Sequence, residues 1–187
     1  QKCEGIIARY AYGRDYHKII GKKLKKLEAF IKNLAPTVET KSYVDTGPFF
    51  DRAFAVQSGL GQIGKNSCLI TKEFGSWVFL AEILINHPRG WNLSSPSHSN
   101  PPHPRGWDIC GSCTRCIDAC PTKAIIAPGV IDSRKCLAYQ TIENKSTPPQ
   151  DIAKAITKTK RLFGCDICHE VCPHNCRALP TTLKDLK

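Results

Sequence analysis

The chain has 187 residues and a hydrophobic content of 41%, enough for one ordinary domain or two small ones with a packed core. Its 27 Lys and Arg against 16 Asp and Glu give a formal charge of +11, which fits a polyanion such as RNA and equally a solvated lysine-rich surface. No apolar run reaches bilayer length, since Trp77 to Ile85 is interrupted by Glu82, and no secretory h-region stands near the start. Eleven cysteines, an odd number at metal-ligand spacings, exclude a disulfide miniprotein and point to a reducing cytoplasm. With no Met and a start at Gln1-Lys2-Cys3, the chain reads as a piece of a longer polypeptide.

Residues 14–34 form the first expected element, an amphipathic helix. Ile20, Leu24, Leu27, Ile31 and Leu34 recur by four and three and give one apolar stripe, while Lys18, Lys22, Lys25, Lys26 and Lys32 mostly fall off it. Pro36 stops that helix. A strand is expected over Val38 to Val44, then a helix from Pro48, as first helical residue, to about Ser58. Gly59, Gly61 and Gly64 punctuate a tight loop. Ser67 to Thr71 and Ser76 to Ile85 read as strands around the turn Lys72-Glu73-Phe74-Gly75. Residues 86–108 read as a linker rich in Pro, Ser, His and Gly, in which His87-Pro88-Arg89-Gly90-Trp91 recurs as His103-Pro104-Arg105-Gly106-Trp107. Two copies are too few for a solenoid, so the repeat reads as a small duplication in a surface loop. Ser146 to Gln150 is an expected turn, and Asp151 to Arg161 a short helix.

The strongest signal is Cys110-Gly111-Ser112-Cys113-Thr114-Arg115-Cys116-Ile117-Asp118-Ala119-Cys120-Pro121, the C-x2-C-x2-C-x3-C-P run of bacterial ferredoxins. Three cysteines at two-residue gaps wrap one [4Fe–4S] cubane. The fourth is carried off by a helical turn to the other cluster. Zinc sites seldom combine such pairs with a terminal Cys-Pro. A second half follows as Cys136, Cys165, Cys168 and Cys172-Pro173, with its first cysteine displaced upstream by an insertion of 26 residues. Crosswise ligation then predicts Cys110, Cys113, Cys116 and Cys172 on one cluster and Cys120, Cys136, Cys165 and Cys168 on the other. Cys68 reads as a small buried hydrophobe. Cys176 reads as a non-ligand, and Cys3 carries no assignment.

The other motifs resemble a known family. Gly5 to His17, GIIARYAYGRDYH, is similar to the segment entering the cobalamin domain of the epoxyqueuosine reductases. Tyr43 to Pro48 (YVDTGP), Gly59 to Asn66 (GLGQIGKN) and Gly75 to Leu84 resemble later signatures, and the two cysteine motifs continue the match in order. The resemblance covers nearly the whole chain apart from 86–108. It implies an α+β fold: a partial nitroreductase-like α/β cobalamin domain over 1–85, the linker 86–108, and a bacterial two-cluster ferredoxin-like domain over 109–187. Against the family the chain is expected to be truncated at both ends. The implied activity reduces epoxyqueuosine to queuosine at the wobble position of tRNA, with cobalamin and two [4Fe–4S] clusters as cofactors, in a cytoplasmic monomer with tRNA as partner.

By the same resemblance, Asp45 matches the proposed proton donor, a role that needs a carboxylic acid protonated near neutral pH, as an apolar pocket promotes. Local sequence alone reads Asp45 as the cap of the helix expected at Pro48. Asp51 and Arg52 match positions near the tRNA substrate, and could equally form a surface pair. Lys65 and Asn66 match the cobalamin side of the glycine loop, with Leu69 against the corrin. Two other readings stand beside this one: a ferredoxin-type electron-transfer module without catalysis of its own, and a relative of the cobalamin-dependent reductive dehalogenases.

Overall fold

The computed structural model describes residues 4–86 and 109–186; the repeated linker motif and Cys3 lie outside them. Strand β1, Ile6–Ile7, opens the chain. Helix α1, Tyr16–Leu34, follows, starting two residues later than the periodicity predicts because Asp15 is its cap and accepts a hydrogen bond from the His17 N–H at 3.0 Å. Of its apolar stripe only Leu24 is fully buried, while Leu27 and Leu34 are exposed.

Strand β2, Thr40–Tyr43, is shorter than expected, and helix α2 starts at Asp51 rather than Pro48. The chain between them is a series of bends, because Asp45 takes a left-handed conformation with φ 62° and Gly47 lies directly on Tyr43. A Cβ on Gly47 would meet the Tyr43 ring at 2.8 Å. Helix α2, Asp51–Gln57, is capped by Phe50, so the local reading of Asp45 as a helix cap is corrected.

Strands β3, Gln62–Ile63, and β4, Leu69–Ile70, form an antiparallel hairpin around Gly64 to Cys68. The turn at 72–75 forms as expected, with Gly75 at φ 57°. The strand expected from Ser76 is confined to β5, Glu82–Ile85, which pairs antiparallel with β2 from Thr40↔Ile85 to Tyr43↔Glu82.

The cysteine-rich part contains α3, Arg115–Ala119, the hairpin β6, Ile125–Ala127, with β7, Val130–Ile131, and α4, Leu137–Ile142. Helix α5, Gln150–Thr159, ends two residues early because Lys160 turns left-handed at φ 58° and Arg161 enters β8, Arg161–Phe163. Helix α6, Ile167–Glu170, closes the series. Among the described residues the four sheets are two-stranded pairs. Among the described residues no helix is long and apolar enough to cross a membrane.

The start and end of the chain are sewn together. Strand β1 runs parallel to β8, a pairing that needs a long crossover, and Arg9 N–H donates to Asp166 Oδ2 at 2.7 Å. A second seam joins Ser76 to the loop after α6. Ser76 N–H donates to Asn175 Oδ1 at 2.7 Å and Asn175 Nδ2 donates to Ser76 Oγ at 2.8 Å. His169 stands between Ser76 Oγ at 2.8 Å and Cys68 Sγ at 3.3 Å, with Trp77 packed on its ring at 4.9 Å and Arg9 over the indole. Burial holds His169 below the usual imidazole range, so the neutral ring donates on one nitrogen and accepts on the other. Cys68 is thus a partly buried member of a polar seam, where the sequence reads it as an apolar filler.

Arg161 presents both terminal nitrogens to the two Glu170 oxygens at 3.0 and 2.6 Å, and its own side chain is nearly buried. Glu170→Ala leaves that guanidinium without an anion. The expected result is a loss of about 1.5–3 kcal/mol in urea unfolding. An unchanged midpoint would mean that the pair contributes nothing.

Candidate functional site

The loop before α3 folds the first cysteine group on itself. Cys113 N–H donates to Cys110 O at 2.9 Å, and α3 then carries Cys116 in its first turn and Cys120 at its C-cap. From the far end of the chain Cys172, one turn past α6, enters the same space. Cys110, Cys113, Cys116 and Cys172 line one cavity together with Lys65, Asn66 and Ile70 from the β3–β4 hairpin. Cys120 is not on that cavity. Its C-cap backbone is extended and ends α3. Burial alone would raise the Cys120 thiol, but N–H groups from Ala124, Ile125 and Thr122 outweigh it and hold the thiol below its ordinary value.

The second group is built from three elements. Cys136 sits at the N-cap of α4, Cys165 lies just past β8, and Cys168 lies on α6. Burial pushes the Cys168 thiol up. Among the described residues no three His, Cys, Asp or Glu side chains are grouped as a single metal ion requires. A cubane spreads its four thiolates more widely than one ion does, and the wall of sulfur formed by Cys110, Cys113, Cys116 and Cys172 fits it. Cys176 is exposed at the end of a 3-10 turn and does not line that cavity.

A larger cavity of about 650 Å³ lies on the other side of the β3–β4 hairpin. Tyr16, Asp45, Phe49 to Ala53, Ile63, Ser67, Val78 to Leu80 and Gly129 line it. Phe50 is 83% exposed, an apolar ring held in the open beside the cavity. Asp51 contributes a buried Oδ1 without a hydrogen-bond partner among the described residues. A wall of aromatic rings with isolated polar atoms fits one face of a large planar ligand.

Asp45 stands on this wall with its side chain 61% exposed, so the apolar surround that the proton-donor role suggests is absent among the described residues. Its partners are specific instead. Tyr16 Oη donates to Asp45 Oδ2 at 2.7 Å, and His17 Nε2 lies 3.7 Å from the same oxygen. His17 Nδ1 donates to Asp15 Oδ1 at 3.0 Å. The Tyr16 ring is stacked between His17 at 4.0 Å and Phe79 at 4.3 Å. Burial and the Asp45 carboxylate both push the Tyr16 phenol well above its ordinary range, so it stays a donor at any physiological pH. The left-handed backbone of Asp45 is uncommon for a residue with a side chain, and such conformations concentrate at functional sites.

The structure therefore brings Asp45, Asp51 and Arg52 to one cavity, with Arg52 Nη1 donating to Ser67 O. Lys65 and Asn66 line the cysteine cavity rather than the larger one, and Leu69 is buried in β4 and lines neither. Sequence reasoning assigned no role to Tyr16, His17 or Phe79. The first two lie inside the quoted GRDYH motif. Phe79 lies inside the Gly75 to Leu84 signature, and its role arises from stacking on Tyr16 across the fold.

Two family models match the chain: "Epoxyqueuosine reductase QueG, DUF1730" over residues 1–46 and "4Fe-4S double cluster binding domain" over residues 109–175. The epoxyqueuosine reductase of Gloeobacter violaceus is 49% identical over 174 residues, covering 92% of this chain and 50% of the relative. A crystal structure of epoxyqueuosine reductase with a tRNA-Tyr epoxyqueuosine-modified stem loop superposes with a TM-score of 0.81 at 38% identity, covering 97% of this chain and 45% of that one. A structure of epoxyqueuosine reductase from Bacillus subtilis, described with its catalytic aspartate loop swung out of the active site, superposes with a TM-score of 0.74 at 39% identity, covering 91% and 41%. The chain spans about half the length of the curated relatives it matches. Matching family models at both ends, with close relatives across nearly all of its length, show that the chain belongs to the epoxyqueuosine reductase family.

Proposed function

We propose that this chain carries the electron relay and the acid of an epoxyqueuosine reductase, which converts epoxyqueuosine to queuosine at the wobble position of tRNA. One observation carries the reading. The segment Lys65-Asn66-Ser67 is shared by both cavities, with Lys65 and Asn66 facing the cysteines and Ser67 facing the cavity that holds Asp45. A redox site and an acid-bearing site thus stand on two sides of one short stretch of backbone. Ser67, left-handed at φ 63°, and its Oγ hydrogen bond to Gly129 O at 2.8 Å fix that partition.

The eight cysteines divide crosswise, Cys110, Cys113, Cys116 and Cys172 on one cluster and Cys120, Cys136, Cys165 and Cys168 on the other. Residues 1–85 form part of a nitroreductase-like cobalamin domain and 109–187 the ferredoxin-like domain. When bound, cobalamin would supply reducing chemistry at the epoxide, with single electrons passing through the clusters. The aromatic wall formed by Phe49, Phe50 and Phe79 would bind its flat face and exclude water. The reaction consumes two electrons and two protons, removes the epoxide oxygen as water and leaves an alkene. Asp45 delivers a proton to that oxygen. Tyr16 Oη then holds the carboxylate that remains. Asp51 and Arg52, on the same wall, face the modified nucleotide. The basic surface of the chain favours a tRNA partner over a small organohalide. The acid-bearing cavity distinguishes the chain from a plain ferredoxin.

Binding tests this directly. The cluster-loaded chain, titrated anaerobically with cob(II)alamin, is expected to give a saturable spectral change that Phe50→Ser together with Phe79→Ser weakens. Saturable binding that ignores both substitutions would remove the cofactor from this cavity.

A further inference from the structure

We infer that Lys65 and Asn66 raise the reduction potential of the cluster held by Cys110, Cys113, Cys116 and Cys172 above that of the second cluster. The inference rests on the cluster assignment proposed above and assigns two residues a role in it.

Lys65 is 9% exposed. Its Nζ donates to Gly111 O at 2.6 Å and Cys113 O at 3.0 Å, both carbonyls of the cysteine loop. Among the described residues no carboxylate lies within ion-pair distance of it. A buried ammonium with only carbonyl partners is costly unless an anion stands nearby. The cavity that Lys65 lines offers one kind of anion, four thiolates around an iron–sulfur core, which together form a net dianion. Asn66 repeats the argument with a neutral group. It is 2% exposed, and its Oδ1 accepts the Cys68 N–H at 3.2 Å. Its Nδ2 has no partner among the described residues. Asn66 lines the same cavity, where a sulfur acceptor would satisfy that N–H. The Lys65 backbone N–H already donates to Cys110 Sγ at 3.4 Å.

The second group has backbone N–H donors of its own, Ala124 N–H on Cys120 Sγ at 3.2 Å among them, so the difference between the groups lies in the charge of Lys65 and the free Asn66 amide. Arg161, the cation that acts on Cys165, is neutralised by the two oxygens of Glu170. The two clusters therefore sit in unequal fields. Reduction adds one electron from an external one-electron donor and turns the dianion into a trianion. No bond breaks and no proton moves. An unscreened positive charge and the free Asn66 amide favour the more negative state, so the couple beside Lys65 lies higher. That cluster is also the one sharing the Lys65-Asn66-Ser67 wall with the large cavity, so electrons run downhill toward it.

The test is an anaerobic potentiometric titration of the iron- and sulfide-loaded chain with dithionite, followed by electron paramagnetic resonance. In Lys65→Met one couple is expected to move to lower potential while the other stays. Asn66→Asp keeps the acceptor for Cys68 N–H, replaces the free donor by an anion, and is expected to lower the same couple. In a Cys136→Ser background, which disables the other group, the couple that remains is the one expected to move. Both couples unmoved, or both moved equally, in either variant would overturn the inference. If Lys65→Met fails to hold iron, Asn66→Asp alone decides. A wild-type chain that takes up no cluster would refute the cluster assignment itself and leaves a distinct signature, since no couple is then seen at all.

Discussion

Asp45→Asn is expected to lower turnover of epoxyqueuosine tRNA by about 10²–10⁴-fold, the range that general acid catalysis contributes, with iron content and cofactor spectra unchanged. The amide keeps the size of the side chain and can still accept from Tyr16 Oη, but it carries no proton that an epoxide oxygen could take. Asp45 stands in the β2–α2 bend, far from both cysteine groups in its contacts, so the substitution separates acid from relay. Tyr16→Phe is the companion. It retains the acid and removes the 2.7 Å donor that steadies the carboxylate after proton delivery, so its loss should be smaller. Full turnover in Asp45→Asn would exclude the residue as the acid. The measurement is a time course of nucleoside composition after digestion of the tRNA.

Cys120→Ser gives the second large effect. Crosswise ligation makes Cys120 a ligand of the group formed by Cys136, Cys165 and Cys168, although it follows Cys116 by four residues. The expected result is loss of about half of the bound iron and sulfide and disappearance of one redox couple, the couple beside Lys65 persisting. The geometry supports this partition. Cys172 and not Cys120 completes the cavity of Cys110, Cys113 and Cys116, and the Cys120 backbone ends α3 in an extended conformation. Loss of the couple beside Lys65, with the other retained, would show that each motif keeps its own four cysteines.

The run from Cys110 to Pro121 is legible in the sequence because its constraint is local: thiolates at two-residue gaps suit the wrapping of a cubane, whatever the rest of the chain does. The helix over Tyr16–Leu34 is legible for a similar reason, through periodicity and the Asp15 cap. Pairing was not. Strand β2 joins β5 across about forty residues and β1 joins β8 across more than one hundred and fifty, and no short-range pattern announces either. The start of α2 was misread because Pro48 suits a first helical turn by propensity. The left-handed Asp45 and the seating of Gly47 on Tyr43 instead hold 44–50 in bends. Lys65 and Asn66 show a different limit. Their motif points to a cofactor, but only the fold reveals that they face sulfur while Ser67, next in sequence, faces the other cavity.

The cluster-loaded chain, mixed anaerobically with cobalamin, a one-electron reductant and a tRNA stem loop bearing epoxyqueuosine, offers the most direct trial of a relay placed beside an acid. Mass spectrometry of the digested nucleosides is expected to show epoxyqueuosine falling and queuosine rising, by the mass of one oxygen, only when clusters, cobalamin and reductant are all present. Bound clusters and bound cobalamin with epoxyqueuosine unchanged would contradict the account.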